Sequence, residues 1–260
     1  MTNGRLKCEM PKHNWELAIK RHKDALLNWG FKEENILGIF VYGSQNYNLD
    51  TPTSDWDTKT IVIPTFDEVL FDKPVSREVS VKRDNDEYEH CEVKDIREFI
   101  KMFEKQNINF IEILFTEYKW VNPKFQKLWE DYFINNREEI ARYDMNQVIK
   151  SIVGQAKHTI KQCPTNGKKI ANGYRLIRFL QKYISKEFSY SQCIFIPNSE
   201  KDWFLDIKQQ EEILPQHSEL LLAILENTYE NFSQIFKVKA EVKEAMRQGA
   251  KEIIKFANGI

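Results

Sequence analysis

A short apolar run near the start of the chain restricts the fold more than any other feature of the sequence. Residues 36–42 are apolar apart from one glycine, and polar residues bound them on both sides. A short apolar run of this kind is typical of a buried strand. The same run is the longest in the chain and falls far short of the roughly 20 residues that a membrane-spanning helix needs. We therefore predict a sheet with a buried strand and no membrane segment.

Further patterns along the chain predict an α+β fold. Alternating or turn-bounded runs indicate strands, and apolar residues at helical spacing indicate helices. The predicted strands are 36–42, 56–63, 77–82 and 87–93, with a turn at 84–86. The predicted helices are 14–29, 124–135, 137–162, 168–186 and at least two segments after residue 209, and the pattern is already helical from residue 95. We predict an N-terminal domain, residues 1–120, with a mixed sheet and flanking helices, followed by a helical domain, residues 121–260.

The composition is that of an ordinary compact protein. The 260 residues are 42% hydrophobic, which is enough to bury a sizeable core. The first residues lack the apolar centre of a signal peptide. The four cysteines are too far apart for a CxxC zinc motif. We predict a cytoplasmic protein with reduced thiols and no membrane partner, and the sequence leaves its oligomeric state open.

Charge is distributed unevenly along the chain. Residues 1–149 carry 21 basic and 27 acidic residues, a net charge of −6, whereas residues 150–260 carry 17 and 12, a net charge of +5. Residues 150–186 contain nine basic residues and no acidic one. Such a segment would attract a polyanion such as nucleic acid. The alternative is a solvated helical face whose counter-charges lie elsewhere in the fold.

Two interpretations also remain open for individual residues of the basic segment. Four basic residues are candidates for contacts with nucleic acid or with the phosphates of a nucleotide: Lys168, Lys169, Arg175 and Arg178. Neighbouring rings could stack on bases. The same helix, however, has residues spaced as a core stripe: Tyr174, Ile177, Leu180, Tyr183 and Ile184.

The segment 41–57 holds the residues that best indicate chemistry. Gly43 and Ser44 follow the buried strand, where a residue without Cβ lets backbone amides approach a phosphate. Asp55 and Asp57 are two positions apart on a strand, so their carboxylates point to the same side and repel unless a cation lies between them. Mg²⁺ is commonly held by one or two carboxylates together with substrate phosphates. Either pair alone is ordinary, but the combination predicts a metal-dependent phosphate site.

This segment resembles a known signature. Its pattern, Tyr-Gly-Ser-x-x-Tyr-x-Leu-x-Thr-Pro-x-Ser-Asp-x-Asp, looks like the active-site motif of nucleotidyltransferases of the DNA polymerase-β superfamily, in particular the bacterial and phage group associated with RNA repair. The runs 92–99 and 106–115 also resemble that group. The resemblance covers residues 36–120. It departs from the group at Asn48, where glycine is common but asparagine tolerates left-handed geometry.

The resemblance implies a fold of polymerase-β type, a reaction and a set of site residues. The reaction moves a nucleoside monophosphate from a nucleoside triphosphate to an acceptor hydroxyl, with an RNA end or tRNA favoured, and releases pyrophosphate. Mg²⁺ or Mn²⁺ would be the cofactor. The implied nucleotide-binding residues are Gly43, Ser44 and Ser54, and the implied catalytic and metal-binding residues are Asp55, Asp57 and Glu92. Glu92 stands where most of the group carries aspartate, and strand alternation allows only one of Glu92 and Glu89, the second candidate, to face the metals.

Other site classes are less well supported. The five histidines are scattered without metal-ligand spacing, although His90 lies near the proposed site along its strand. The sequence has no GxSxG elbow, Walker A motif or GxGxxG turn. Two alternatives to RNA modification remain: a nucleotide- or RNA-binding module without turnover, and the same chemistry on a protein or small molecule. Retention of both aspartates favours an enzyme.

Overall fold

The α+β class predicted from sequence is confirmed. The computed structural model describes residues 15–83 and 87–260. Its mixed sheet has the strand order β3-β4-β2-β1-β5, in which β2 and β4 pair in parallel and the other neighbours are antiparallel. The strands are β1 (Ile36–Val41), β2 (Thr58–Val62), β3 (Ser76–Lys82), β4 (Tyr88–Asp95) and β5 (Lys119–Val121).

Helices precede, cover and follow this sheet. The helices are α1 (Trp15–Asn28), α2 (Ser44–Tyr47), α3 (Phe66–Leu70), α4 (Ile96–Glu104), α5 (Ile108–Ile111), α6 (Gln126–Trp129), α7 (Arg137–Arg142), α8 (Met145–Gln162), α9 (Gly167–Ser185), α10 (Tyr190–Ile194), α11 (Asn198–Gln209), α12 (Pro215–Phe232) and α13 (Ala240–Asn258). Short 3₁₀ turns occur at Glu33–Asn35 and Glu112–Leu114, and a π-helical turn at Glu130–Ile134 continues α6.

The structure differs from the predicted elements in a few places. The helix predicted over 137–162 is wrong as one unit, because it is interrupted before Asp144, whose side chain accepts a hydrogen bond from the Gln147 amide and begins α8. Capping by aspartate satisfies a backbone donor that a helix start leaves free. The short strand β5 and the helices α10 and α11 were not predicted. The predicted turn at 84–86 lies outside the described residues.

The hydrophobic core is continuous across the predicted domain boundary. One cluster begins at Leu37 and Phe40 on the sheet and extends through the helices to Ile253. A smaller cluster on the other face of the sheet packs under α1. The boundary predicted near residue 120 falls within β5. The sheet and the C-terminal helices therefore stabilise each other.

In helix α9, the apolar residues of the basic segment pack in the core. Ile177, Leu180 and Tyr183 are buried in the main cluster. The interpretation as a core stripe is confirmed for these three. Lys157 forms an ion pair with Glu226 and Arg178 forms one with Glu200, so part of the segment's counter-charge comes from α11 and α12.

Two simpler findings complete the fold. No helix in the described ranges is long and apolar enough to cross a membrane. Cys91, Cys163 and Cys193 carry free thiols, and Cys8 lies outside the described residues.

Candidate functional site

A cleft at the ends of β1 and β2 brings most of the sequence-predicted site residues together. Its volume is about 340 Å³. Six predicted residues line it: Gly43, Ser44, Ser54, Asp55, Asp57 and Lys168. Tyr42, Gln45 and Lys208 also contribute to its walls. The cleft thus combines a glycine turn, two carboxylates and two ammonium groups.

The glycine turn connects β1 to α2. Gly43 has φ of +94°, a left-handed geometry that side chains with a Cβ rarely adopt. Its amide donates to Glu112 Oε1 at 2.9 Å, so this donor is already engaged. The turn ends at Asn48, which has φ of +61°, and the expectation that asparagine accepts this geometry is confirmed. The Asn48 side chain donates to the Ile196 carbonyl at 3.0 Å, which ties the turn to the segment after α10.

The two aspartates differ in their surroundings. Asp57 accepts a hydrogen bond from the His90 amide through Oδ1 at 2.9 Å. Burial raises the pKa of Asp57, and the charge of Asp55 adds to the increase, although the His90 amide opposes it. Asp55 is about half exposed, and its Oδ1 lies 3.7 Å from Arg83 Nη1. The pair is therefore only partly neutralised by the protein, as expected of carboxylates that a cation could join.

The two candidates for the third carboxylate lie on opposite faces of the sheet. Lys59 pairs with Glu92 in the parallel register, so Glu92 is on the same face as Asp57, which directly extends β2. Glu92 forms ion pairs with Lys59 and, at 3.1 Å, with Lys94. Burial raises the pKa of Glu92, but the two lysines outweigh burial and the net shift is downward.

Glu89 lies on the α1 face and is fully buried. Its carboxylate accepts hydrogen bonds from Arg21 at 2.8 Å and from the Trp56 amide at 3.2 Å, and it lies 3.2 Å from His22 Nε2. Burial raises the pKa of Glu89. The hydrogen bonds with His22 and Arg21 lower it by more than burial raises it, so the net shift is downward. These partners fix Glu89 away from the cleft.

The donor set can be tested against Mg²⁺. Asp55 and Asp57 supply two carboxylates to one cleft, and this fits an ion that completes its shell with water and phosphate oxygens. Among residues 15–83 and 87–260, no group of three or more His, Cys, Asp or Glu side chains is close enough to hold a metal. Glu92 lines a neighbouring cavity of about 390 Å³ that shares Tyr42 with the cleft. The fit is therefore to a site with two protein carboxylates.

The four basic candidates occupy different environments. Lys168 lines the cleft, whereas the adjacent Lys169 is exposed and does not. Arg175 is 5% exposed, and its guanidinium carbon lies 3.9 Å from the centre of the Tyr47 ring. Arg178 donates to Glu200 and to the Phe195 carbonyl. Lys168 is thus the member of the four that reaches the cleft.

Sequence reasoning missed two residues at or next to the site. Lys208 lines the cleft and donates to the Leu49 carbonyl at 3.1 Å. Burial lowers its pKa, and the charge of Lys168 adds to the effect. Glu112 lies beneath the glycine turn and is 1% exposed. Nothing in the sequence near Lys208 indicated a site, but Glu112 belongs to the run 106–115 that resembles the nucleotidyltransferase group.

Comparison with known proteins adds no assignment. No family model matches the sequence, and no curated protein matches it. The functional interpretation of this chain therefore depends on its own motif and on the geometry of the cleft.

Proposed function

We propose that this protein is a metal-dependent nucleotidyltransferase that moves a nucleoside monophosphate from a nucleoside triphosphate to an acceptor hydroxyl. One observation carries the proposal: the glycine turn, the two aspartates and two lysines line the same cleft. The acceptor oxygen would attack the α-phosphorus, and the bond from that phosphorus to the β-phosphate oxygen would break, releasing pyrophosphate. Catalysis of this kind consists mainly of positioning and charge stabilisation.

The residues of the cleft have distinct roles in this proposal. Asp55 and Asp57 would hold Mg²⁺, and the bond from the His90 amide would keep Asp57 oriented. When bound, the ion would neutralise phosphate charge and lower the pKa of the acceptor hydroxyl. Lys168 and Lys208 would pair with phosphate oxygens from the opposite wall.

The turn residues would bind phosphate through donors that remain free. The Gly43 amide is bonded to Glu112, so the Ser44 hydroxyl is the better placed donor at this position. That hydroxyl lies 3.3 Å from Gln45 Oε1, a long contact that it could exchange for a phosphate oxygen. Ser54 accepts from the Thr51 amide at 2.9 Å and would shape the loop ahead of Asp55.

Glu92 is the proposed third carboxylate, provided that it can leave its lysine partners. It faces the same side as Asp57, but Lys59 and Lys94 hold it in the neighbouring cavity. To reach a metal beside Asp57, Glu92 would have to exchange these lysines for the ion. The lysine pairing also supports the second candidate function, a nucleotide-binding module without turnover.

An RNA end remains the proposed acceptor. The net positive charge of residues 150–260 supports a polyanionic partner. Exposed lysines such as Lys161 and Lys169 would contribute to this attraction, whereas Arg175 is buried and Arg178 is paired with Glu200. A protein or small-molecule acceptor would use the same chemistry.

The experiment that tests the function measures transfer and binding together. The full chain is incubated with Mg²⁺ and α-³²P-labelled ATP, CTP, GTP or UTP, with total RNA or total protein from a bacterial lysate. We expect label in RNA and release of pyrophosphate. Asp57→Asn should reduce the rate by about 10³-fold, because several kcal/mol of charge stabilisation depend on the metal. Asp24→Asn, at an exposed position on α1, is the matched control.

The outcomes separate the two candidate functions. Near wild-type transfer by Asp57→Asn would exclude the proposed mechanism. Nucleotide binding without transfer to any pool would favour the binding module. Label in protein instead of RNA would support the proposed nucleotidyl transfer and show that the acceptor is a protein.

A further inference from the structure

The buried Glu112 carboxyl lies directly behind the glycine turn and bonds to it twice. Oε1 accepts from the Gly43 amide at 2.9 Å, and Oε2 accepts from the Tyr47 hydroxyl. These two donors are at the beginning and the end of α2. We propose that Glu112 is a positioning residue, whose carboxylate holds both ends of α2 and thereby sets the shape of the turn that faces the cleft.

The geometry makes this link costly to lose. The Gly43 amide has no other acceptor among the described contacts, and a partly buried donor that loses its acceptor is left without a protein partner. A carboxylate can accept from both donors at once, whereas a protonated carboxyl carries a hydrogen of its own and no charge. Charge-assisted bonds are roughly twice as strong as neutral ones. Protonation of Glu112 would therefore loosen the turn.

The groups around Glu112 place its protonation near neutral pH. Burial raises the pKa of Glu112 to about 7, although the Tyr47 hydroxyl, the charge of Arg175, the Gly43 amide and the charge of Lys59 act in the opposite direction. Burial raises the pKa values of Tyr42 and Tyr190, and the Glu112 charge adds to both increases.

Arg175 connects this arrangement to the C-terminal helices. Its guanidinium stacks on the Tyr47 ring from α9, and its buried Nη1 has no hydrogen-bond partner in the described structure. It is therefore a cation that favours the charged form of Glu112 without bonding to it. Arg175 of α9 thus packs on Tyr47, Tyr47 bonds to Glu112, and Glu112 bonds to the Gly43 amide of the turn.

A consequence for ligand binding follows, and this part rests on the proposed function. If the turn holds the triphosphate, nucleotide affinity should fall as the pH falls through the pKa of Glu112. We expect the dissociation constant of Mg·ATP to rise about tenfold between pH 8.5 and pH 5.5, as loss of one charge-assisted hydrogen bond predicts.

The link can be observed without any activity. Tyr42-Gly43 is the sole Tyr-Gly pair in the sequence, so ¹³C-carbonyl tyrosine with ¹⁵N-glycine selects the Gly43 amide in a carbonyl-filtered NMR spectrum. We expect its shift to titrate with a midpoint near pH 7 in the wild type. Glu112→Gln should abolish this titration, whereas Glu117→Gln, at an exposed position in the same segment, should retain it.

The two measurements distinguish the positioning role from the proposed function. A Gly43 shift that is flat from pH 5.5 to 8.5, or a titration that persists in Glu112→Gln, would overturn the positioning role. Titration that is lost in Glu112→Gln, with no binding of Mg·ATP by any variant, would support the positioning role and overturn the nucleotide site. A pH dependence of binding that is equal in wild type and Glu112→Gln would also contradict the proposed link.

Discussion

A fully buried acid on β4 and a partly buried acid just before β2 show how differently this protein treats negative charge. Glu89, on the α1 face, has Arg21, His22 and the Trp56 amide as partners, and its pKa is lowered. Asp57, on the cleft face, has one backbone donor and a second aspartate nearby, and its pKa is raised. The two sites are close, since His90, whose amide donates to Asp57, directly follows Glu89 in the sequence.

Under the proposed function, this difference separates a structural carboxylate from carboxylates that would bind a ligand. A buried charge is normally paired, because desolvation otherwise exceeds the favourable interactions. The protein satisfies this requirement at Glu89 with its own cations. At Asp55 and Asp57 it does so only in part, through the His90 amide and Arg83, and the proposed function assigns the remaining neutralisation to a metal ion.

The largest expected effect is on stability at Glu89. Glu89→Gln should lower the free energy of unfolding by about 3 kcal/mol, because it removes the charge of a fully buried carboxylate that bonds to Arg21 and His22. Asp57→Asn should leave the free energy of unfolding unchanged or raise it slightly, since it removes a partly buried charge and its repulsion by Asp55. Urea denaturation at pH 7 measures both, with Glu34→Gln, at an exposed position, as control. Equal losses at Glu89 and Asp57 would remove the distinction.

The next effect is stabilisation by metal. Mg²⁺ at ten times its dissociation constant should raise the free energy of unfolding of the wild type by about 1.4 kcal/mol, because it binds the folded state. Asp57→Asn should show no increase. The comparison uses urea denaturation in MgCl₂ and in NaCl of the same ionic strength. An equal increase in the free energy of unfolding of wild type and Asp57→Asn would show that Mg²⁺ binds away from Asp57.

A smaller effect should distinguish two adjacent lysines. Lys168→Met should raise the dissociation constant for Mg·ATP about fivefold, which corresponds to one partly exposed ion pair of about 1 kcal/mol. Lys169→Met should leave it unchanged, because Lys169 does not line the cleft. Equilibrium dialysis with labelled ATP measures both constants. Equal weakening would indicate a general effect of charge.

The smallest effect is a pH dependence with opposite signs. Because the pKa of Glu89 is lowered on folding, its contribution to stability is present above the ordinary glutamate range and is lost as the pH falls. Because the pKa of Asp57 is raised, its ionisation costs stability as the pH rises through the raised value. On acidification, the wild type should therefore lose stability relative to Glu89→Gln and gain it relative to Asp57→Asn. Denaturation curves between pH 3 and 7 test this, and slopes of the same sign would contradict it.

Much of the fold could be predicted because its signals are local. The apolar run at β1 gave a strand in which all six residues are buried. The break before α8 also has a local signal in Asp144, which the apolar spacing concealed. By contrast, β5 has three residues and no pattern of its own, and it exists because β1 offers a free edge.

The candidate site was predictable only where its residues are neighbours in sequence. The turn at Gly43 and the pair of aspartates lie within 15 residues of one another and form a readable motif. Lys208 reaches the cleft through the packing of α11 on α9, and Glu112 reaches Gly43 across 69 positions. Such contacts depend on tertiary packing, which residue types in one sequence do not encode locally.

The origin of the cleft's two walls has a consequence for how the molecule matures. One wall comes from residues 42–57 and the other from Lys168 and Lys208. During synthesis, the ribosome must add some 150 further amino acids after the acidic wall before the opposite one exists. A nascent or truncated chain would thus display its aspartates without the lysines that line the same cleft, and the complete cleft arises only in polypeptides that include Lys208 near the end of α11.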